Sequence, residues 1–161
     1  MSSPAVSIVV PIYNEFDNLT ALVDRIDAAM RAQPLSYELI AVDDGSKDES
    51  AKLLLELAST RPWLRPVILA RNYGQSSALQ AGFDRVQGKY VVTLDADLQN
   101  EPDDIPLLLN RLETDASVDM VSGWRKDRQD AAISRKLPSK IANRLISNAT
   151  GVQLHDYGCA L

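Results

Sequence analysis

Five short apolar runs, each closing on a polar cluster and separated by helical periodicity, constrain this 161-residue chain more than any other feature. The run at 6–11 (VSIVVP) is β-branched and apolar at almost every position, so it predicts a strand buried on both faces. Residues 17–31 then repeat Leu19, Leu22, Val23, Ile26, Ala29 and Met30 along one helical face. Further strands are expected at 37–42 (YELIAV), 66–70, 90–94 (YVVTL) and 118–123. Ser46 and Glu49 form a capping-box pattern that predicts a second helix over 46–58, with Ser46 as its N-cap. A third helix is expected over 75–86. Pro102, followed by Asp103 and Asp104, suits the first turn of a fourth over 102–112, and another is expected at 138–148. Strand alternating with helix across short links means a mostly parallel α/β sheet covered on both faces. Ligands bind such sheets outside the carboxyl ends of the strands, where every polar cluster of this chain falls.

The length suits one domain with a single core, and 45% hydrophobic residues with 24% charged ones exclude a disordered chain. No apolar run reaches the roughly 18–20 residues that span a bilayer, and the N-terminus lacks a signal-peptide pattern, so the chain is expected to be soluble and cytosol-facing. Charge is unevenly placed. Residues 1–124 carry ten basic and nineteen acidic side chains, whereas 125–144 carry seven basic and two acidic. An acidic body with one basic segment points to local contact with anions rather than to nucleic acid, and a solvated basic helix face would give the same pattern.

The strand-end clusters carry the chemistry. Pro11-Ile12-Tyr13-Asn14-Glu15 joins a rigid turn to a ring that can stack on a base and groups that can bond its edge; a strand-ending loop before a helix is the plainer alternative. Asp43-Asp44-Gly45-Ser46 crowds two carboxylates, which repel unless a hydroxyl, amide or cation shares them. Either Asp43 or Asp44 can then hold the ribose or base of a nucleotide. Asp95-Ala96-Asp97-Leu98-Gln99 sets three oxygen donors at alternate positions, on one side of an extended chain. Such donors suit a hard divalent cation that takes its remaining ligands from diphosphate and water, and helix capping would explain one of the Asp residues but not all three donors. Arg71-Asn72-Tyr73-Gly74-Gln75 can add a cation and a helix N-terminus, or can simply connect a strand to a helix.

There is no Gly-x-Gly-x-x-Gly after the first strand and no Gly-x4-Gly-Lys-Ser/Thr loop, so dinucleotide and P-loop readings lose their main support. Cys159, the one cysteine, excludes an intrachain disulfide and a multi-cysteine metal site, and both it and the single His155 read as packing residues.

Together PIYNE, DDGS, RNYGQ, DADLQNEP, GWR and HDYGCAL, in this order, resemble family 2 glycosyltransferases of the GT-A fold, in the polyprenyl-phosphate branch. RNYGQSSALQAGF, DADLQNEPDDIP and DYGCAL look most like the bacterial undecaprenyl-phosphate 4-deoxy-4-formamido-L-arabinose transferases, with dolichol-phosphate mannose synthase a relative. The resemblance implies one GT-A catalytic domain over 1–161 that moves a sugar, with inversion, from a nucleoside-diphosphate donor (a UDP-sugar) to a polyprenyl phosphate. It places Pro11, Tyr13 and Glu15 around the base, Asp44 on base or ribose, and Asp95 near the nucleotide. Asp97 and Gln99 would hold Mg2+ or Mn2+, Arg125 and Arg135 would meet phosphates, and Asp156 would stand in the active site. Asp97, Asp156 and Arg125 are accordingly the catalytic candidates.

Proteins of this branch continue into interfacial and transmembrane helices, whereas this chain stops at Leu161, inside the last motif. It is therefore expected to be a piece of a longer protein at the cytoplasmic face of a bacterial inner membrane, held there by its missing C-terminal region. A homo-oligomer is compatible with the sequence. A lipid phosphate is already largely ionised at neutral pH, since its second pKa is about 6, and needs cations more than a base. A saccharide hydroxyl would instead call for a carboxylate base, Asp97 or Asp156. A nucleotide-binding module without catalysis is the third alternative.

Overall fold

The computed structural model describes residues 3–123. Four parallel strands, β1 (Val6–Ile12), β2 (Tyr37–Asp43), β3 (Leu64–Ile68) and β4 (Tyr90–Thr93), lie in the order β3-β2-β1-β4. Helices α1 (Phe16–Arg31), α2 (Ser50–Ser59) and α3 (Gln75–Phe83) make the crossovers, and α4 (Ile105–Thr114) follows a 3-10 turn at Pro102–Asp104. The chain steps outward from β1 to β3 and then crosses to the other side of β1 for β4. The strand order therefore reverses beside β1, and a crevice opens at its carboxyl end.

Burial on both faces explains the near-continuous apolar strands. Val6, Ile8, Val10 and Ile12 of β1 join the larger core with α1, α2 and α4, while Val9 turns to Ile40, Val42 and Ala78 beneath α3. The residues α1 buries are the six expected from its periodicity. α3 lies close on the sheet at Gly82, where a Cβ would stand 2.4 Å from Val9 Cγ1.

Two expectations fail. The second helix starts at Ser50 rather than Ser46, because residues 43–49 spend their polar groups on a neighbouring loop. Residues 118–123 form no strand among the described residues. Val118 N–H closes a turn on Asp115 C=O at 3.0 Å, Met120 is 59% exposed, and no described strand offers the run a ladder. The third strand also sits two residues earlier than expected. Leu64 pairs with Leu39 and is buried, and Pro66 is tolerated because β3 is an edge among the described strands.

Candidate functional site

A cavity of about 310 Å3 occupies the crevice at the carboxyl end of β1. The first strand end contributes Pro11, Ile12, Tyr13 and Glu15 to it, and the second contributes Asp44. The loop into α3 adds Asn72, Gly74 and Gln75, and the segment after β4 adds Asp95, Ala96 and Asp97. Its volume lies in the range of small-molecule sites. Buried Ile12 and Ala96 supply apolar lining, and the carboxylates of Glu15, Asp44, Asp95 and Asp97 converge on one space.

Tyr13 stands 39% exposed at this cavity, placed to stack on a planar group. Glu15 is half-buried, and Asn18 Nδ2–H donates to its Oε2 at 2.8 Å from the first turn of α1. Ser46, expected to cap a helix, instead accepts the Asn14 N–H on its hydroxyl at 2.9 Å. Asp48 takes up the start of α2, accepting Ser50 N–H at 3.0 Å and Phe16 N–H at 3.3 Å. Desolvation raises the Asp48 pKa, but the hydrogen bonds from Ser50 and Phe16 outweigh it and hold the carboxyl below its ordinary value.

The two carboxylates of the second motif part company. Asp43 turns into the protein, 1% exposed. Its Oδ1 accepts Ser46 N–H at 3.0 Å, and its Oδ2 is buried without a hydrogen-bond partner among the described residues. Asp44 alone reaches the cavity, and its two oxygens each accept a backbone N–H at 2.8 Å, from Tyr73 and Gly74. Asp44 is thereby a clasp on the loop into α3, and a ligand can use only its remaining lone pairs. Gly45, at φ +68°, leaves room for that loop, since a Cβ there would stand 2.3 Å from the Arg71 carbonyl carbon. Arg71 stacks on Tyr73 at 4.9 Å and does not line the cavity.

The third motif is not the extended chain its alternation suggested. β4 ends at Thr93, and Leu98 adopts φ +58°, with Asp97 Oδ1 accepting Gln99 N–H at 3.0 Å across it. The turn brings Asp95 and Asp97 to the cavity and leaves Gln99 outside its lining. Gln75, at the start of α3, donates Nε2–H to Asp95 Oδ1 at 2.7 Å and fixes that carboxylate. Its role was hidden in the sequence, where only the motif that carries it stood out. Beyond the turn, Asn100 is buried, and the ion pairs of Arg25 with Glu101 and Asp103 hold the segment against α1.

Among the described residues no group of three or more His, Cys, Asp or Glu is arranged to hold a metal. Two carboxylates facing an open cavity fit a hard dication that draws its other oxygens from a diphosphate and water. Arg125, Arg135, Asp156, His155, Cys159, the basic segment 125–144 and the helix expected at 138–148 lie outside the described residues.

The sequence profile described as "Glycosyl transferase family 2" matches residues 7–160. The chain belongs to that family. It has the GT-A fold. The family 2 domain is 46% identical over 168 residues to a dodecaprenyl-phosphate galacturonate synthase of Rhizobium johnstonii, covering 100% of this chain and 48% of the relative. It is 49% identical over 158 residues to an undecaprenyl-phosphate 4-deoxy-4-formamido-L-arabinose transferase of Pseudomonas fluorescens, covering 97% and 45%. The chain thus spans about half the length of these curated relatives. Among solved structures, a mannosyltransferase from Pyrobaculum calidifontis in complex with GDP-Man and Mn2+ superposes with a TM-score of 0.58 at 25% identity, over 76% of this chain and 35% of that one. S. aureus TarS 1-349 in complex with UDP-GlcNAc shares the fold, with a TM-score of 0.55 at 20% identity over 68% and 31%. No described helix is long and apolar enough to cross a membrane.

Proposed function

We propose that this glycosyltransferase moves a sugar from a uridine-diphosphate donor to a polyprenyl phosphate, with inversion at the anomeric carbon. The observation that carries the reading is the cavity beside β1, where an exposed ring and a carboxylate face two further carboxylates across space suited to a nucleotide. Tyr13 stacks on the base, and Glu15 and Asp44 accept hydrogen bonds from its edge or from the ribose. Asp95, held by Gln75, stands beside the diphosphate end. A Mg2+ or Mn2+ held by Asp97 with Asp95 or Gln99 would neutralise charge on the departing diphosphate. The names of the two curated relatives support the acceptor, since each ties its protein to a polyprenyl phosphate.

In the reaction an acceptor phosphate oxygen forms a bond to the anomeric carbon from the face opposite the diphosphate. The bond from that carbon to the diphosphate oxygen breaks, and the electron pair leaves with the nucleoside diphosphate. The acceptor oxygen is already ionised at neutral pH, so no side chain has to remove a proton from it. What the protein supplies is closeness, orientation and cations. Arg125, Arg135 and the rest of the 125–144 segment carry that positive charge in the sequence, and the proposal assigns Asp156 to the site by its motif and the reaction to the cytoplasmic surface of a bacterial inner membrane.

Transfer of radiolabelled sugar by the full-length protein in membranes tests this reading. The expected product is an organic-extractable lipid whose label is released by mild acid. Label appearing only in water-soluble saccharide would point to a hydroxyl acceptor. Nucleotide binding with no transfer would point to a binding module.

A further inference from the structure

The loop that carries Tyr13 and Glu15 is held by the one that follows β2. Asp44 N–H donates to Ile12 C=O at 2.8 Å, Asn14 N–H to Ser46 Oγ at 2.9 Å, and Glu15 N–H to Ser50 Oγ at 3.0 Å. Phe16 N–H reaches Asp48 Oδ2 at 3.3 Å, and in the opposite sense Lys47 N–H donates to Asn14 Oδ1 at 2.7 Å. Asn14 is the only residue of the first loop that bonds the second through both its backbone and its side chain among these contacts. It also sits at φ +57°, a left-handed conformation that L-residues other than Asn and Asp adopt at a cost. Asn14 does not line the cavity, yet the residues on either side of it do.

We propose that Asn14 is a positioning residue that sets the aim of Tyr13 and Glu15, with the Ser46–Ser50 segment as its clamp rather than as a ligand-binding loop. The inference rests on the nucleotide reading of the cavity and adds a residue to it. Three properties meet at this position. Asn tolerates the left-handed backbone, its amide oxygen accepts from Lys47, and its backbone N–H reaches the Ser46 hydroxyl. Asp retains all three, Gly retains the left-handed backbone and the N–H but loses the acceptor, and Ala loses the acceptor and adopts the backbone at a cost.

Calorimetry of UDP with Mn2+ on the full-length protein, paired with hydrogen exchange over residues 44–50, tests the proposal. Asn14→Asp should bind within about twofold of wild type, and Asn14→Gly about five- to tenfold more weakly, the scale of one lost hydrogen bond. Asn14→Ala should be the weakest of the three. In turnover the loss should fall on the donor KM and leave kcat little changed, and protection of the Lys47 amide should drop in Gly and Ala but not in Asp. Equal binding by Asn14→Gly and wild type, with Lys47 still protected, overturns the proposal. Wild-type protein that binds neither UDP nor GDP overturns the donor reading instead. The clamp is then judged on exchange alone, where equal protection in Asn14→Gly and wild type overturns it.

Discussion

Glu38, at the amino end of the sheet, and Asp97, at its carboxyl end, use their carboxylates in opposite ways. At the amino end Glu38, 4% exposed, sits beside Ser7 in the β1–β2 register, and every oxygen of the pair is engaged. Glu38 Oε1 accepts from Ser7 Oγ–H at 2.5 Å and from Gln87 N–H at 2.9 Å, and Oε2 is paired with Arg65. Ser7 Oγ in turn accepts Gly88 N–H at 2.8 Å, which ties down the turn before β4. At the carboxyl end, Glu15 and Asp95 are half-buried and Asp97 exposed, and all three line the cavity. A carboxylate near a strand is therefore not in itself a sign of a site. One whose partners fill it holds the fold, and one whose lone pairs face open space is placed to take a ligand.

Substitutions at the two ends should separate cleanly. The largest effect is expected from Asp97→Ala, which should lower turnover by about 10²–10³-fold, several kcal/mol of charge stabilisation, while leaving the melting temperature nearly unchanged. The divalent-cation dependence of any residual turnover should change as well, and turnover lost with that dependence intact would remove Asp97 from the metal. Next comes Glu38→Ala, which takes the acceptor from Arg65, the Ser7 hydroxyl and the Gln87 N–H and should cost about 3 kcal/mol in denaturant unfolding, with nucleotide affinity in the surviving fold unchanged. Burial raises the Glu38 pKa, but Ser7, Arg65 and the Gln87 N–H together hold it below the ordinary glutamate value. Its stabilisation is thus present above the unfolded-state pKa of about 4.3 and lost as pH falls through the folded value, so thermal melts below about pH 4.5 should fall more steeply in wild type than in Glu38→Gln. The smallest effect is expected from Gln75→Leu, which frees the Asp95 carboxylate from its amide and should weaken donor binding about fivefold with little change in stability.

Much of this architecture was legible before any coordinates, because periodicity reports burial. The six buried positions of α1 and the two-sided strands follow from spacing alone. The strand-end placement of the polar motifs followed from the alternation of elements, and the cavity lies among them. What stayed hidden depends on partners distant in sequence. Ser46 and Glu49 spell a capping box, but a helix competes for Ser46 with an amide thirty-two residues away, and the amide wins. Nothing in the spacing around Glu38 foretells that Ser7, Arg65 and Gln87 gather around it. Leu98 breaks the alternation of the third motif with a left-handed turn that no spacing argument foresees, so Gln99 falls outside the cavity while Asp95 and Asp97 line it.

The proposed function requires that the carboxyl-end cavity take a nucleotide together with a divalent cation. Calorimetry of the full-length protein with UDP and with GDP, each with and without Mn2+, measures that directly. The expected result is UDP binding that requires Mn2+ and is lost in Asp97→Ala but kept in Glu38→Gln. Binding of neither nucleotide, or UDP binding of equal strength without the metal, would contradict it.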